Sequence, residues 1–249
     1  MDLGLAGRVY VVTGGTSGLG RATAEALVDD GARVVVSSRD QHNVDEAVAA
    51  LGGPDHATGL ALDNADPTAA AQLVAAARSA YGALHGACIS VGGPPGGNAT
   101  DMTDEQWRGA FESVFLGAVR IAREVAPELP ADGVIAFVLS SSVRQPVGGL
   151  AISNGLRPGL AMVTKTLADE LGPRGIRVLS LLPGRITTAR TLTLTPDEAD
   201  RAAIAASIPL RRYGEPAEFG RVAAFALSPA ASYLTGCAIP VDGGAIRSL

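Results

Sequence analysis

Short, nearly continuous apolar runs alternate along the chain with longer alanine-rich segments. The runs at 8–13, 32–37, 58–62, 86–91, 134–140, 176–182 and 237–241 predict strands. The segments at 19–29, 44–51, 67–81, 104–128, 151–171 and 216–227 predict helices, with Pro67 and Pro216 placed as first-turn prolines. Apolar strands without alternation are expected where helices cover both faces of a sheet. Strand–helix alternation at this spacing requires right-handed crossovers, so the pattern predicts an α/β fold with one doubly wound parallel sheet. No linker, repeat or low-complexity tract interrupts residues 1–249, which read as a single domain. Two stretches stand outside the pattern. GGPPGG at 92–97 reads as a rigid turn-rich loop after the fourth strand, and 187–207 is a weakly patterned segment suited to a substrate lid.

Composition narrows the picture. With 47% apolar residues the chain can bury a sizeable core. A net charge of −5 with scattered basic residues argues against a nucleic-acid surface. Cys88 and Cys237 lack metal-ligand spacing and read as buried free thiols in a reducing compartment. No charged leader or membrane-length apolar stretch is present, so the expectation is a cytoplasmic protein with no membrane partner.

The candidate chemistry begins at 13–20, Thr13-Gly14-Gly15-Thr16-Ser17-Gly18-Leu19-Gly20, between the first strand and the first helix. In this position Gly14 permits a tight turn, Gly18 lets the backbone approach a pyrophosphate, and Gly20 allows close helix–strand packing. The helix N-terminus then offers free amides to phosphate. At the end of the second strand an NAD site needs a carboxylate for the ribose 2′-hydroxyl. Here Ser38 and Arg39 stand instead, which favours NADP(H) over NAD(H) unless Arg39 is a solvated surface residue. Asp63, after the third strand, either accepts from the adenine amino group or caps the helix near Pro67.

With these residues the whole chain resembles a short-chain dehydrogenase/reductase, of the type related to 3-oxoacyl-acyl-carrier-protein reductases. The motifs are TGGTSGLG at 13–20, Leu181-Leu182-Pro183-Gly184, Arg212-Tyr213-Gly214-Glu215-Pro216, Leu234-Thr235-Gly236 and Val241-Asp242-Gly243-Gly244. The resemblance implies seven strands in the order 3-2-1-4-5-6-7. It also implies nicotinamide packing against Pro183 and Gly184. The long apolar-rich helices 104–128 and 151–171 need cover at the sheet edge, which predicts a homodimer or homotetramer paired through them. The family's catalytic group is Asn, Ser, Tyr and Lys. Here the matching positions are Val114, Ser140, Ser153 and Arg157, and the loop GGPPGG resembles a divergent branch that also lacks the tyrosine and lysine.

The losses have chemical meaning. Carbonyl reduction needs a hydride and a proton, and the family tyrosine supplies the proton. A serine hydroxyl is a far weaker acid, and an arginine does not relay protons. General acid catalysis contributes about 10²–10⁴ in rate. Arg157 remains able to hold ribose hydroxyls or an anionic substrate. Arg144, Arg157 and Arg185 together suggest an acidic small-molecule substrate unless Arg144 and Arg185 point to solvent. His42, His56 and His85 are expected away from the nicotinamide, and Tyr213 either reaches the cleft or packs as a surface aromatic. The sequence leaves three readings. The first is an NADP(H)-dependent oxidoreductase on a small carbonyl or alcohol with Ser140, Ser153 and Arg157 at its centre. The others are a nucleotide-binding pseudoenzyme and a non-redox isomerase or lyase on the same fold.

Overall fold

The computed structural model describes residues 2–248. Seven parallel strands form one sheet: β1 (Val9–Thr13), β2 (Arg33–Ser38), β3 (Ala57–Ala61), β4 (Gly86–Ser90), β5 (Val134–Val138), β6 (Arg177–Pro183) and β7 (Ala238–Val241). Their order is 3-2-1-4-5-6-7, as the resemblance implied. Side chains of β1 alternate between two cores. Val9 and Val11 join one with helices α3 (Ala69–Tyr81), α4 (Asp104–Ala110), α5 (Gly117–Val125) and α6 (Ala151–Leu171). Tyr10 and Val12 join the other with α1 (Gly18–Asp29), α2 (Gln41–Ala50) and, later in the chain, Pro216–Leu227. Both faces are therefore covered, which explains why the strands read as unbroken apolar runs.

Several expected elements shift. The segment 104–128 is not a uniform helix, because a π-helical turn, Phe111–Leu116, separates α4 from α5 and a 3₁₀ turn, Ala126–Glu128, ends it. Pro67 does not open α3: Thr68 is the N-cap, preceded by a turn in which the Asp66 carboxylate accepts from the Thr68 amide and hydroxyl at 2.8 Å. Pro216 does open its helix, with a reciprocal cap between Glu215 and Glu218. The weakly patterned segment holds two short helices, α7 (Ala189–Leu194) and α8 (Glu198–Ser207), followed by α9 (Pro216–Leu227). Each of α7 and α8 is capped by a side chain, Thr188 on the Thr191 amide and Asp197 on the Ala199 and Asp200 amides.

The α4–α5 unit and α6 approach closely because α6 presents glycine to aromatic rings. A Cβ at Gly155 would stand 2.9 Å from Trp107, and one at Gly159 would stand 2.9 Å from Phe115. Among the described residues no helix is long and apolar enough to cross a membrane.

Candidate active site

A cleft of about 450 Å³ opens at the carboxyl edge of the sheet, lined by Gly14, Thr16, Ser17, Ser38, Arg39 and Asp63 on one side. It continues past Ser90–Pro95 to Val114. The buried Thr13 fixes the floor, its hydroxyl donating to the Ser90 carbonyl and accepting from the Ser90 amide, both at 2.9 Å. Gly14 has φ +59, a left-handed conformation in which a side chain is strained. A Cβ on Gly20 would overlap the Gly14 carbonyl, so the helix can begin this close to the strand only with glycine there. Ser17 is the N-cap of α1 but its hydroxyl caps nothing, leaving first-turn amides open to phosphate. Leu19 turns to the core on the α1 face of the sheet. These are the features a dinucleotide diphosphate requires, and the residues present fit it.

Arg39 is exposed beside the half-buried Ser38. The next carboxylate, Asp40, is engaged elsewhere: its side chain accepts from the Asn43 amide at 3.1 Å and caps α2. Asp63 is exposed at the cleft and accepts from the Ala65 amide at 2.9 Å. It does not cap α3, whose N-cap is Thr68, so the capping alternative falls away. Pro183 ends β6, and the Gly184 amide donates to the Val241 carbonyl at 3.0 Å.

The catalytic positions depart from expectation in one respect. Ser153 is buried, and the hydroxyl within reach of its own is that of Ser142, at 3.4 Å. Ser140, the expected partner, instead accepts the Ser142 amide at 3.1 Å and caps a 3₁₀ turn, Ser141–Val143. That this turn brings Ser142 onto α6 carries no sequence signal. One turn along α6 from Ser153, Arg157 is only 5% exposed. It donates to the Val138 carbonyl at 2.6 Å and more weakly to the Val91 carbonyl at 3.4 Å, while its Nε has no partner. Burial, and secondarily the charge of Arg190, pulls its pKa down to about 10, so it stays a cation at neutral pH. Val114 is buried within the π turn, where such turns often mark functional sites. Asn154 clamps the preceding loop by accepting from the Val147 amide at 3.0 Å and donating to its carbonyl at 2.9 Å.

The expected group of three arginines does not assemble. Arg144 is exposed, and Arg185 lines a separate cavity with Arg212 and Glu218. The cation that approaches Arg157 is Arg190, at the start of α7, which sequence reading missed because it lies 33 residues downstream in the weakly patterned segment. The histidines lie away from the cleft, as expected. His42 faces Glu46 at 3.3 Å, and His85 accepts the Val9 amide at 3.0 Å. The Tyr213 hydroxyl is buried without a hydrogen-bond partner. Among the described residues no tyrosine or histidine side chain bonds to Ser140 or Ser153.

Residues 14–245 match the family described as enoyl-(acyl carrier protein) reductase. Dehydrogenase/reductase SDR family member 4 of Homo sapiens is 36% identical over 247 residues, covering 96% of this chain and 88% of that protein. The chain belongs to the short-chain dehydrogenase/reductase family. Solved members of this oxidoreductase family superpose over nearly all of it. L-sorbose reductase from Gluconobacter frateurii, complexed with NADPH and L-sorbose, has a TM-score of 0.94 at 31% identity, covering 100% of both chains. A 3-ketoacyl-(acyl-carrier-protein) reductase from Brucella melitensis, complexed with NADH, has a TM-score of 0.89 at 30% identity, covering 97% of this chain and 99% of that one.

Proposed function

We propose that this short-chain dehydrogenase/reductase is an NADP(H)-dependent oxidoreductase acting on a small carbonyl or alcohol substrate. The observation that carries the reading is the end of β2. Arg39 stands free at the cleft, and the one neighbouring carboxylate, Asp40, is committed to capping α2. Thr13–Gly20, Ser38, Arg39, Asp63 and Pro183–Gly184 would hold the cofactor, while Arg157, sealed with its Nη groups on the Val138 and Val91 carbonyls, would act on it through its charge alone. When bound, that cofactor supplies or accepts the hydride. Ser140 and Ser153 would orient the substrate oxygen by hydrogen bonding, and the fixed charge of Arg157 favours negative charge developing there. Among the described residues no tyrosine or histidine bonds to Ser140 or Ser153 to replace the family tyrosine as acid, so the proton would come from water.

A second reading, a nucleotide-binding subunit without turnover, draws on Val114, Ser153 and Arg157 together at the family's asparagine, tyrosine and lysine positions. Fluorescence titration with NADPH and NADH, followed by a carbonyl-substrate screen that records oxidation of NADPH, separates the two. Tighter NADPH binding with turnover supports the oxidoreductase. Binding without turnover on any carbonyl supports the second reading, and failure to bind either cofactor overturns both.

The same reading places the chain in a homodimer or homotetramer. Phe111 (44% exposed) and Met162 (68% exposed) leave apolar surface on the helices expected to pair. A monodisperse monomer at micromolar concentration would contradict this. The free thiols Cys88 and Cys237 suit a reducing, cytoplasmic compartment.

A further inference from the structure

The GGPPGG loop receives two guanidinium groups. Arg157 reaches its entrance at the Val91 carbonyl, 3.4 Å away, and Arg190 donates to the Pro94 carbonyl at 2.7 Å. Arg190 also lies directly over Gly93, where any Cβ would overlap its guanidinium, so Gly93 keeps the place that Arg190 fills. Neither arginine takes part in any ion pair among the described residues. The cleft's own carboxylates are occupied or distant: Asp63 binds the Ala65 amide, and Glu105 faces Arg108 at 3.7 Å. Arg157 Nε is sealed from solvent without an acceptor. In a chain of net charge −5, the two cations held on the loop that lines the cleft therefore have no counterion among the described residues.

Like charges held together favour an anion between or beside them, and a guanidinium fork matches a carboxylate in shape. Arg157 is too deeply sealed to touch a ligand with its free nitrogen. Arg190 is exposed and commits only one of its Nη groups, leaving donors free. We propose that Arg190, backed by Arg157, receives the carboxylate of the substrate, so that this enzyme reduces oxo acids or oxidises hydroxy acids. The inference rests on the oxidoreductase reading and deepens it. The cofactor's diphosphate is the other possible anion. The placement of α7 favours the substrate: Thr188 lies over Gly18 on the phosphate bank, whereas Arg190 reaches the opposite bank at Gly93 and Pro94.

The test is calorimetric titration of the NADP⁺-saturated protein, which cannot turn over an oxo compound. The probes are acetoacetate and levulinate, each against its methyl ester. The carboxylates are expected to bind at least about tenfold tighter than the esters, the effect of one charge-assisted pair. Arg190→Gln is expected to remove that difference while leaving ester and NADP⁺ affinity in place, and Arg190→Lys to keep part of it. Melting curves confirm that the variants fold. Three results overturn the proposal while sparing the oxidoreductase reading: equal affinity for acid and ester, no measurable carboxylate binding to a complex that holds NADP⁺, or a tenfold loss of NADP⁺ affinity in Arg190→Gln, which would assign the arginine to the diphosphate. A wild-type protein that does not bind NADP⁺ overturns the parent reading, and the proposal with it.

Discussion

Replacing Arg39 with aspartate tests the cofactor assignment most directly. Arg39 is exposed, so an interaction with a 2′-phosphate would take place in nearly bulk water. At about 4 Å a unit charge pair is then worth about 1 kcal/mol, and a phosphate carries about −1.5 to −2 at neutral pH, so the contact contributes about 2 kcal/mol. That corresponds to about 30-fold in favour of NADPH. Arg39→Asp exchanges this attraction for a repulsion of similar size, a swing of about 4 kcal/mol, or about 10³ in NADPH affinity. NADH carries no such phosphate, and its affinity should hold or improve as the new carboxylate meets the ribose hydroxyl. Trp107 is the single tryptophan and adjoins Gln106 at the cleft, so energy transfer from it to the reduced nicotinamide reports binding. The wild-type preference should also shrink with added salt, because an exposed pair is screened. Equal affinities in the wild type, or a ratio changed less than threefold by Arg39→Asp, would refute the assignment.

Wild-type reduction of a simple 3-oxoacyl substrate should be absent or orders of magnitude below that of family members with the tyrosine and lysine. Ser153→Tyr with Arg157→Lys should raise it, and Ser140→Ala in that variant should remove the gain; robust wild-type turnover undiminished by Ser153→Ala would sink this reasoning. Gly20→Ala should weaken NADPH binding at least about tenfold, since the backbone overlap with Gly14 has no flexible side chain to relieve it. His85 titrates below its ordinary 6.5, chiefly through burial and then Arg8, so the folded state prefers the neutral ring. Its contribution is therefore fully present above pH 6.5 and lost as pH falls toward the depressed folded value. Thermal melts at pH 7.5 and 5 should show a fall that His85→Leu reduces; an unchanged pH dependence in the variant contradicts the assignment.

The sheet was legible because β1, β2 and β5 are buried apolar runs whose neighbours along the chain are helical. Strand ends moved by only one or two residues where a ladder hydrogen bond, such as Leu62 to Ser38, continues past the regular strand. The cofactor loop was equally legible, since glycine at 14, 18 and 20 is dictated by backbone geometry. The π turn at Phe111–Leu116 was not, because one extra residue in a helical turn leaves the apolar pattern almost unchanged. Nor was the pairing of Ser142 with Ser153, which depends on how the chain leaves β5. Arg190 was hidden for a different reason: the group it answers to, Gly93, is a missing side chain nearly a hundred residues away.

The α7 segment touches both banks of the cleft at once: Thr188 over Gly18, Arg190 over Gly93, and Leu194 against Gly96. It is anchored at one end by the bridge between Ile186 and Gly214 and at the other by the Asp197 cap of α8. Parting of these three contacts would then time uptake: the observed association rate of NADPH is expected to level off as its concentration rises, and a rate that climbs linearly would rule out such gating.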